Sequence, residues 1–449
     1  MRCDISRVEG VGIKDRYRYM FTPVSERSQA LEKIILGLEK DMVAENQIIS
    51  EITPVGVPRQ EEVWCVGRIC CEADQGRLNN MSVLLEGSRA GSGGQRVHLS
   101  LQAVRDFALF PGQVVAVQGM NSGGTRLVAR SLIEGVPRPF PASSPVELMR
   151  YNHGPSHCGG KPLSVIVAAG PFTTRDNLEY LPLNDLLVVA KKTKPDVVIL
   201  VGPFVDDMHP EVAKCNASAK DGSGEAVPLD FESLFFLRIG SKLEQLLADE
   251  PELSTQFILV PSTHDAFHDY VYPQPPFSDR VKEGVEMKLP GAEEDPVFVL
   301  GLPESKKVHC VSNPSMIKIN EVTLGVTSTD VLFDINQDEI SIPSSGGRLI
   351  RLTEHLLKQQ SFYPLFPPPS NSSPQLDLCH AEKWHMPCTP DILLVPSRLQ
   401  FFARNIKGCL CINPGQLAKG NGGGTFAHMA VHPIPKAKLE KAKPDEVRT

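Results

Sequence analysis

The sequence predicts a two-domain protein in which an all-β barrel precedes an α/β domain. Its 449 residues exceed what one hydrophobic core normally supports. Short β-runs separated by glycine-rich turns occupy residues 51–135, whereas apolar strands alternate with helical segments from Leu163 onward. Between these parts, residues 136–162 contain six prolines with intervening serine and glycine. Such a segment favours extended conformations, so we place a proline-rich linker and a domain boundary there.

The composition is that of an ordinary globular protein, with 41% hydrophobic and 22% charged residues. The longest apolar runs have the length of strands, below the roughly 20 residues of a membrane-spanning helix. The N-terminus lacks a charged-then-apolar secretory pattern, so we expect an intracellular protein. The formal net charge of −7 argues against binding of nucleic acid through the protein's own surface, which usually needs a basic excess.

The eleven cysteines predict reduced, mostly buried thiols. Cys70 and Cys71 are adjacent, Cys409 and Cys411 alternate, and the others are scattered along the chain. No Cys-x-x-Cys pair is present to begin a tetrahedral zinc site. We therefore predict neither a metal nor another cofactor bound by this chain.

The N-terminal segment, residues 1–50, begins irregularly and becomes helical from about Ser25. Its apolar residues recur at steps of three and four and lie on one helical face; they are Leu31, Ile34, Ile35, Leu38 and Met42. The segment therefore contains an amphipathic helix that packs on a later domain or on a partner. The sequence leaves both alternatives open.

Residues 51–135 predict a five-stranded barrel. The expected strands are Val63–Cys70, Met81–Leu85, Gln95–Leu99, Val114–Gly119 and Arg126–Ala129. A short helix is expected within Gln102–Phe110, between the third and fourth strands, which is the order of an OB-fold barrel. Eight arginines and eight acids balance, and Trp64, Phe107 and Phe110 are the barrel's aromatic residues. Single-strand binding needs a basic groove with stacking aromatics, so a protein-docking barrel is favoured over a nucleic-acid binder.

Residues 163–449 predict an α/β domain whose sheet is buried on both faces by helices. The expected helices are Asn184–Thr193, Phe231–Ala248 and Gly347–Gln360. The strands expected are Leu163–Ala169, Val197–Val201, Phe257–Val260, Val297–Leu300, Val308–Val311, Thr323–Val326, Ile392–Val395 and Cys409–Ile412. The basic C-terminal tail, Lys436–Lys443, is interrupted by an acid and predicts a solvated helix.

Four strand ends in this domain decide its chemistry, because ligands of α/β sheets gather at the carboxyl ends of strands. The four segments resemble the metal-binding motifs of binuclear metallophosphoesterases, which read Asp-x-His, Gly-Asp-x-x-Asp, Gly-Asn-His-Asp and Gly-His-x-His. Such enzymes need carboxylates, a carboxamide and imidazoles around two metals about 4 Å apart. Most ligand positions instead carry residues that offer no carboxylate, carboxamide or imidazole, namely Gly170, Phe172, Pro203, Thr263, Ser397 and Leu399.

Three candidate ligands survive, Asp206, His264 and Asp265, and either His309 or His268 would have to complete a residual metal site. Without the bridging aspartate these groups are too few for two metals. We therefore favour a hydrogen-bonded cluster that ties loops together and assign no catalytic, cofactor-binding or metal-binding residue. The glycine-rich stretch 420–426 lacks the Lys-Ser/Thr of a phosphate-binding loop and predicts a turn between late strands.

These segments resemble the B-subunits of replicative DNA polymerases. The resemblance rests first on Gly170-Pro171-Phe172 and on Gly202-Pro203-Phe204-Val205-Asp206, with Lys194-Pro195-Asp196 before the second strand. The order and spacing match that family from about residue 55 to 433. Finer motifs are similar to the DNA polymerase α branch of the family; they are the stretches 325–333, 360–365, 412–415 and 423–426.

The resemblance implies an OB-fold domain joined to an inactivated calcineurin-like phosphoesterase domain. It implies a nuclear, non-catalytic scaffold subunit of a DNA polymerase α–primase complex, which makes RNA–DNA primers. The implied partners are the zinc-binding C-terminal domain of the catalytic subunit and the primase subunits, with DNA reached mainly indirectly. The family's N-terminal helical domain and phosphorylated linker are not evident in this sequence, so we expect a part of such a protein. A divergent metal-dependent phosphoesterase and an OB-fold single-strand binder are the alternatives.

Overall fold

The structure is a computed structural model that describes residues 2–49, 51–72, 77–220, 226–278, 300–303, 306–342, 347–369 and 374–441. Most of the expected strand Val297–Leu300 and the end of the basic tail lie outside the described residues. Within the described residues, no helix combines the length and the apolar character needed to cross a bilayer.

The strands, in chain order, are β1 (Ile5–Arg7), β2 (Arg59–Cys71), β3 (Val83–Glu86), β4 (Arg96–Ser100), β5 (Phe107–Leu109), β6 (Val114–Asn121), β7 (Arg126–Ile133), β8 (Leu163–Ala169), β9 (Val197–Val201), β10 (Ser218–Lys220), β11 (Ala226–Pro228), β12 (Gln256–Val260), β13 (Val271–Tyr272), β14 (Val308–Cys310), β15 (Ser315–Ile319), β16 (Val322–Val326), β17 (Ile340–Ile342), β18 (Gln375–Leu376), β19 (Ile392–Leu394), β20 (Phe402–Ile406), β21 (Cys409–Asn413), β22 (Ala418–Lys419), β23 (Gly422–Gly423) and β24 (Ala427–Val431).

The α-helices are α1 (Val24–Glu45), α2 (Arg89–Ser92), α3 (Pro145–His153), α4 (Leu181–Thr193), α5 (Pro210–Ala213), α6 (Phe231–Phe235), α7 (Ser241–Asp249), α8 (Val331–Asp338), α9 (Arg348–Lys358) and α10 (Lys436–Leu439). A π-helix, Phe236–Gly240, joins α6 to α7, so the single helix expected over Phe231–Ala248 is interrupted. A 3₁₀ helix spans Leu378–Trp384.

The barrel closes in the order β2-β3-β4-β7-β6, with β4 and β7 parallel, which confirms the OB arrangement. The prediction of a helix within Gln102–Phe110 is wrong. That stretch instead contains β5, which pairs antiparallel with β17 of the following domain. The physical reason is that this stretch is buried on two sides: Phe107 and Leu109 pack inside the barrel, whereas Phe110 packs into the next domain. A short helix, α2, stands instead between β3 and β4.

Among the described residues, the α/β domain contains two large sheets rather than the single sheet expected, besides three two-stranded ones. The five-stranded sheet has the order β14-β12-β9-β8-β24, and the six-stranded sheet has the order β1-β15-β16-β19-β21-β20. Their facing sides share one apolar cluster, to which Ile199 and Ile258 contribute from one sheet and Ile317 and Leu324 from the other. The outer sides are covered by α4, α6 and α7 on the five-stranded sheet and by α8 and α9 on the six-stranded sheet. Strands β8, β9 and β12 are thus apolar on both faces, with helices on one side and the second sheet on the other.

The N-terminal segment packs within the same chain. Strand β1 pairs antiparallel with β15 at the edge of the six-stranded sheet. Helix α1 buries Ile35, Leu38 and Met42 against barrel residues that include Trp64 and Val66. The expectation of an irregular start is therefore wrong for β1, and the open choice for the helix is decided by these contacts.

The proline-rich linker contains a helix, so the expectation of an extended segment is wrong for α3. The hydroxyl of Ser144 accepts a hydrogen bond from the Glu147 amide at 3.2 Å and caps the helix. Pro145 occupies the first helical position, where its missing N–H is not needed.

Candidate functional site

The four segments that resemble metal-binding motifs follow the carboxyl ends of β8, β9, β12 and β19, as expected. Strands β8, β9 and β12 are neighbours in one parallel sheet, so their ends meet at a single edge. The stretch after β21 crosses this edge, because the Leu417 amide donates to the Ala169 carbonyl at 2.8 Å and the Ala418 amide to the Pro171 carbonyl at 3.1 Å. We call this edge the strand-end face.

Two phenylalanines fill the centre of the strand-end face. Phe172 and Phe204 are fully buried, and their rings stack with centroids 4.9 Å apart and an interplanar angle of 20°. Phe204 also meets the rings of Phe235 and Phe277, at 5.7 and 5.5 Å. Aromatic pairs at these distances contribute beyond the burial of their area. Phe172 therefore places hydrocarbon at the position where the metal motif has an imidazole, and Phe204 packs against it.

Two glycines at this face have no room for a side chain. A Cβ atom built on Gly170 would lie 2.1 Å from the Pro203 carbonyl oxygen. A Cβ atom on Gly202 would lie 2.7 Å from the carboxylate of Asp265 and 2.9 Å from the Ser262 amide. An aspartate at position 170 would thus displace the backbone of the neighbouring loop.

Asp265, the most buried of the candidate ligands, points into its own loops. Its Oδ1 accepts hydrogen bonds from the amides of Phe204 at 2.5 Å and Val205 at 3.0 Å, and its Oδ2 accepts one from Ser262 at 2.8 Å. Burial raises the pKa of Asp265 to about 7, against the three amides, which favour the ionised form. The carboxylate thereby ties the β9 loop to the β12 loop.

Asp206 and His264 point elsewhere. Asp206 accepts a hydrogen bond from the Met208 amide at 3.0 Å, and burial raises its pKa. His264 donates from Nδ1 to Asp207 at 3.0 Å at the surface, and this hydrogen bond raises the pKa of the imidazole. The three surviving candidates thus have separate hydrogen-bond partners.

The two histidines considered for completing a metal site are also engaged. His268 donates from Nε2 to the Pro275 carbonyl at 2.9 Å, and His309 donates to Gln256 at 2.8 Å. Burial lowers the pKa of both imidazoles. Across the described parts of the chain, no group of three or more His, Cys, Asp or Glu side chains is arranged to hold a metal ion.

At the fourth segment, polar side chains hold loops rather than face a cavity. Asn413 accepts from the amides of Ser397 and Gly415, at 3.0 and 2.9 Å, and donates to three carbonyls of residues 397–400. Asp330 caps α8 and binds Arg398, whose guanidinium lies 4.4 Å from the ring centroid of Phe333. Residue types alone do not assign a role to Asn413 or Asp330, although both stand in motifs that carry the resemblance.

The barrel and the α/β domain are joined by polar contacts at the end of α9. The Gln359 side chain is buried, accepts from the Val114 amide and donates to the carbonyls of Val114 and Glu134. Lys358 forms an ion pair with Glu134 at 3.0 Å, and the Phe366 amide donates to the Pro111 carbonyl. Sequence reasoning missed this junction, because glutamine next to a helix end carries no distinctive signal.

Known protein families and individual proteins match this chain over both domains. Residues 165–404 match the family model that describes the B-subunit of DNA polymerases alpha and epsilon. Residues 28–135 match the model that describes the OB domain of the DNA polymerase alpha B-subunit, and this match includes most of α1. Proteins named as the B-subunit of DNA polymerase alpha are similar over most of the chain: that of Mus musculus is 35% identical over 422 residues, and that of Schizosaccharomyces pombe is 33% identical over 437 residues.

The matches cover 94% and 93% of this chain. They cover 63% of the mouse protein and 68% of the fission yeast protein. The chain therefore spans about two thirds of the length of these relatives.

Proposed function

The chain belongs to the family of DNA polymerase alpha B-subunits, and we propose that it is a non-catalytic scaffold of a DNA polymerase α–primase complex. In this role it binds the zinc-binding C-terminal domain of the catalytic subunit, and through the complex it associates with the primase subunits. It supports the synthesis of RNA–DNA primers in the nucleus, and it reaches DNA mainly through its partners.

The observation that carries this proposal is the filled strand-end face. Two sheets packed between helices, with functional motifs at the carboxyl ends of strands, support an inactivated phosphoesterase domain. The stacked rings of Phe172 and Phe204 fill the centre of the strand-end face, and Gly170 has no room for a side chain. A two-metal site needs charged ligands converging on a solvent-accessible cavity. The domain therefore serves as a rigid body in an assembly and catalyses no reaction.

The junction between the barrel and the α/β domain supports a composite docking surface. Gln359 and the ion pair of Lys358 with Glu134 hold the two domains together through buried or half-buried contacts. A rigid partner surface lowers the ordering cost of association, because little conformational freedom remains to be lost on binding. The neutral charge balance of the barrel favours a protein partner over nucleic acid.

Reconstitution with the C-terminal domain of the catalytic subunit tests the proposal. We expect a one-to-one complex in size-exclusion chromatography and a Kd below about 1 μM, typical of stable interfaces of standard size. The absence of a complex at about 10-fold higher concentrations would refute the scaffold role.

A parallel assay tests the alternative of a divergent phosphoesterase. A generic phosphodiester is incubated with the chain and manganese, and the H264A and D265N variants serve as matched controls. We expect the same background rate in all three samples. Hydrolysis by the wild type that both variants lose would establish an enzyme instead.

A further inference from the structure

A groove lies between the start of α1, the barrel and residues within 366–369 and 374–378. We call it the α1 groove; its volume is about 590 Å³, and its lining includes Val24, Arg27, Arg68, Arg89, Phe366 and Leu378. We propose that the α1 groove binds an acidic segment of a partner protein that also carries apolar side chains. This inference rests on the proposed function, because it assigns the partner to the polymerase–primase complex.

Large apolar side chains are exposed at the rim of the α1 groove. Met20 is 71% exposed, Phe21 78% and Val24 80%, and Met20 and Val24 line the groove itself. Single exposed apolar residues are common, but three within five positions form a patch of the kind found at interaction sites. Helix α1, which begins at Val24, buries Leu38 and Met42 against the rest of the chain. Its exposed start is therefore distinct from its packed face.

The acids that line the α1 groove face the protein. Glu32 accepts from the amides of Arg89 and Ala90 at 2.8 and 2.9 Å, and its side chain is 13% exposed. Glu86 is 18% exposed and is shared by two guanidiniums, those of Arg68 and Arg96, each at 3.1 Å. The negative charges of the groove are therefore already compensated by internal donors.

Asp377, the third acid, is equally enclosed. Its side chain is 6% exposed and accepts from the Cys379 amide at 3.2 Å and from the hydroxyl of Thr22 at 3.4 Å. It offers little negative charge to an occupant.

The cations, in contrast, face the occupant. The Arg89 side chain is 51% exposed and lies 3.9 Å from Glu32, a long contact. Arg27 is exposed and forms no ion pair with any of the residues that the structure describes. Behind them, Arg68 is buried over the ring of Phe366 at 5.3 Å, and its Nε and Nη1 have no hydrogen-bond partner within the described chain. The groove thus presents positive charge although its formal charges balance.

Positive charge beside an apolar rim favours an acidic peptide over a nucleic acid. Nucleic-acid affinity comes mainly from many phosphate contacts, and this groove offers two outward cations. Burial of Met20 and Val24 requires apolar side chains on the occupant, which a phosphate backbone lacks. Carboxylates that meet Arg27 and Arg89 add specificity to that burial.

Site-specific photocrosslinking tests the inference in the reconstituted complex of the full chain with the catalytic and primase subunits. The crosslinker p-benzoylphenylalanine replaces Val24, and a control replaces Val188, which is 64% exposed on α4. We expect position 24 to crosslink to a partner segment with more acidic than basic residues and with apolar side chains. Position 188 should not crosslink to that segment.

Charge reversal provides the second measurement. The double variant R27E and R89E should weaken assembly about tenfold at low salt, because two attractive contacts become repulsive. The K192E variant, at an exposed position of α4, should assemble like the wild type. The inference would be overturned if the double variant assembled with wild-type affinity. It would also be overturned if position 24 crosslinked to a basic segment, to nucleic acid or to nothing. Either result would leave the scaffold role standing. If the wild-type chain forms no complex, the scaffold role and this inference both fail.

Discussion

Asp265 is where a structural role and a metal-binding role predict different results. Its carboxylate accepts three backbone hydrogen bonds, from Phe204, Val205 and Ser262. The D265A variant leaves three buried amide donors without their acceptor. At about 1 kcal/mol for each lost bond, we expect a loss of about 3 kcal/mol in the free energy of unfolding, because the cost of burying the carboxylate offsets any further gain from a charged acceptor.

The D265N variant keeps the shape of the side chain. Its carbonyl oxygen can retain the amides of Phe204 and Val205, but its NH₂ group then faces the Ser262 amide, donor against donor. We expect a loss of about 1–3 kcal/mol, smaller than for D265A. The H264A control removes only an exposed pair with Asp207 and should cost less than about 1 kcal/mol.

Urea unfolding at about pH 7.5, followed by circular dichroism with and without about 1 mM manganese, measures these differences. If Asp265 were a metal ligand, manganese at about 100 times its Kd would stabilise the wild type by about 2.7 kcal/mol, and D265N would lose that gain. We expect no manganese-dependent difference between wild type and variant. Manganese stabilisation that D265N abolishes, or a D265A cost below about 1 kcal/mol, would refute the structural role.

The pH dependence gives an independent check on the same residue. Burial raises the folded pKa of Asp265 from 3.8 to about 7. Between these values the folded state holds a proton that the unfolded state releases, so the contribution to stability is complete below about pH 4 and is lost as pH rises through about 7. The stability of the wild type relative to D265N should therefore fall from about pH 4 to about pH 7. A rise over this range would contradict the assignment.

Three further predictions concern the rest of the chain. Although burial opposes it, hydrogen bonds from Arg351 and His355 lower the pKa of Glu339 to about 2. The ionised Glu339 therefore stabilises the fold above about pH 4.5, and this contribution is lost as pH falls through about 2. E339Q should cost about 3 kcal/mol in urea unfolding at about pH 7 and should reduce the loss of stability on acidification. F172A opens a cavity beside Phe204 and should cost about 3–5 kcal/mol by the same measurement; a cost below about 1 kcal/mol would show that the face is not tightly packed. Q359A removes three contacts to the barrel and should separate the unfolding of the two domains in calorimetry, whereas a single unchanged transition would show that Gln359 does not couple them.

Continuous apolar runs made several core strands predictable. The bounds of β8 and β9 match the expected Leu163–Ala169 and Val197–Val201, because runs of Val, Ile and Leu without breakers fit a strand buried on both faces. The order of barrel strands followed from turn glycines and alternating residues. The resemblance to a family of polymerase accessory proteins was also confirmed by the comparisons.

Other elements were outside the reach of local patterns. Strand β1 is three residues long and exists because β15 offers it an open edge. The burial of β5 depends on β17, which lies far along the chain in the following domain. An apolar strand shows the same hydrophobic pattern whether a helix or a second sheet covers it. The two-sheet arrangement was therefore not predictable from residue types.

For the candidate site, residue types by themselves predicted that most ligand positions lack a carboxylate, carboxamide or imidazole, since glycine, proline and phenylalanine have none to offer, and they left Asp206, His264 and Asp265 as candidates. The tertiary structure decided what the remaining groups do. Asp265 turns inward because backbone amides of two different loops converge on it, and His264 turns outward because Asp207 lies at the surface. Side-chain direction depends on donors and acceptors brought together from distant parts of the chain, and only the folded backbone positions them.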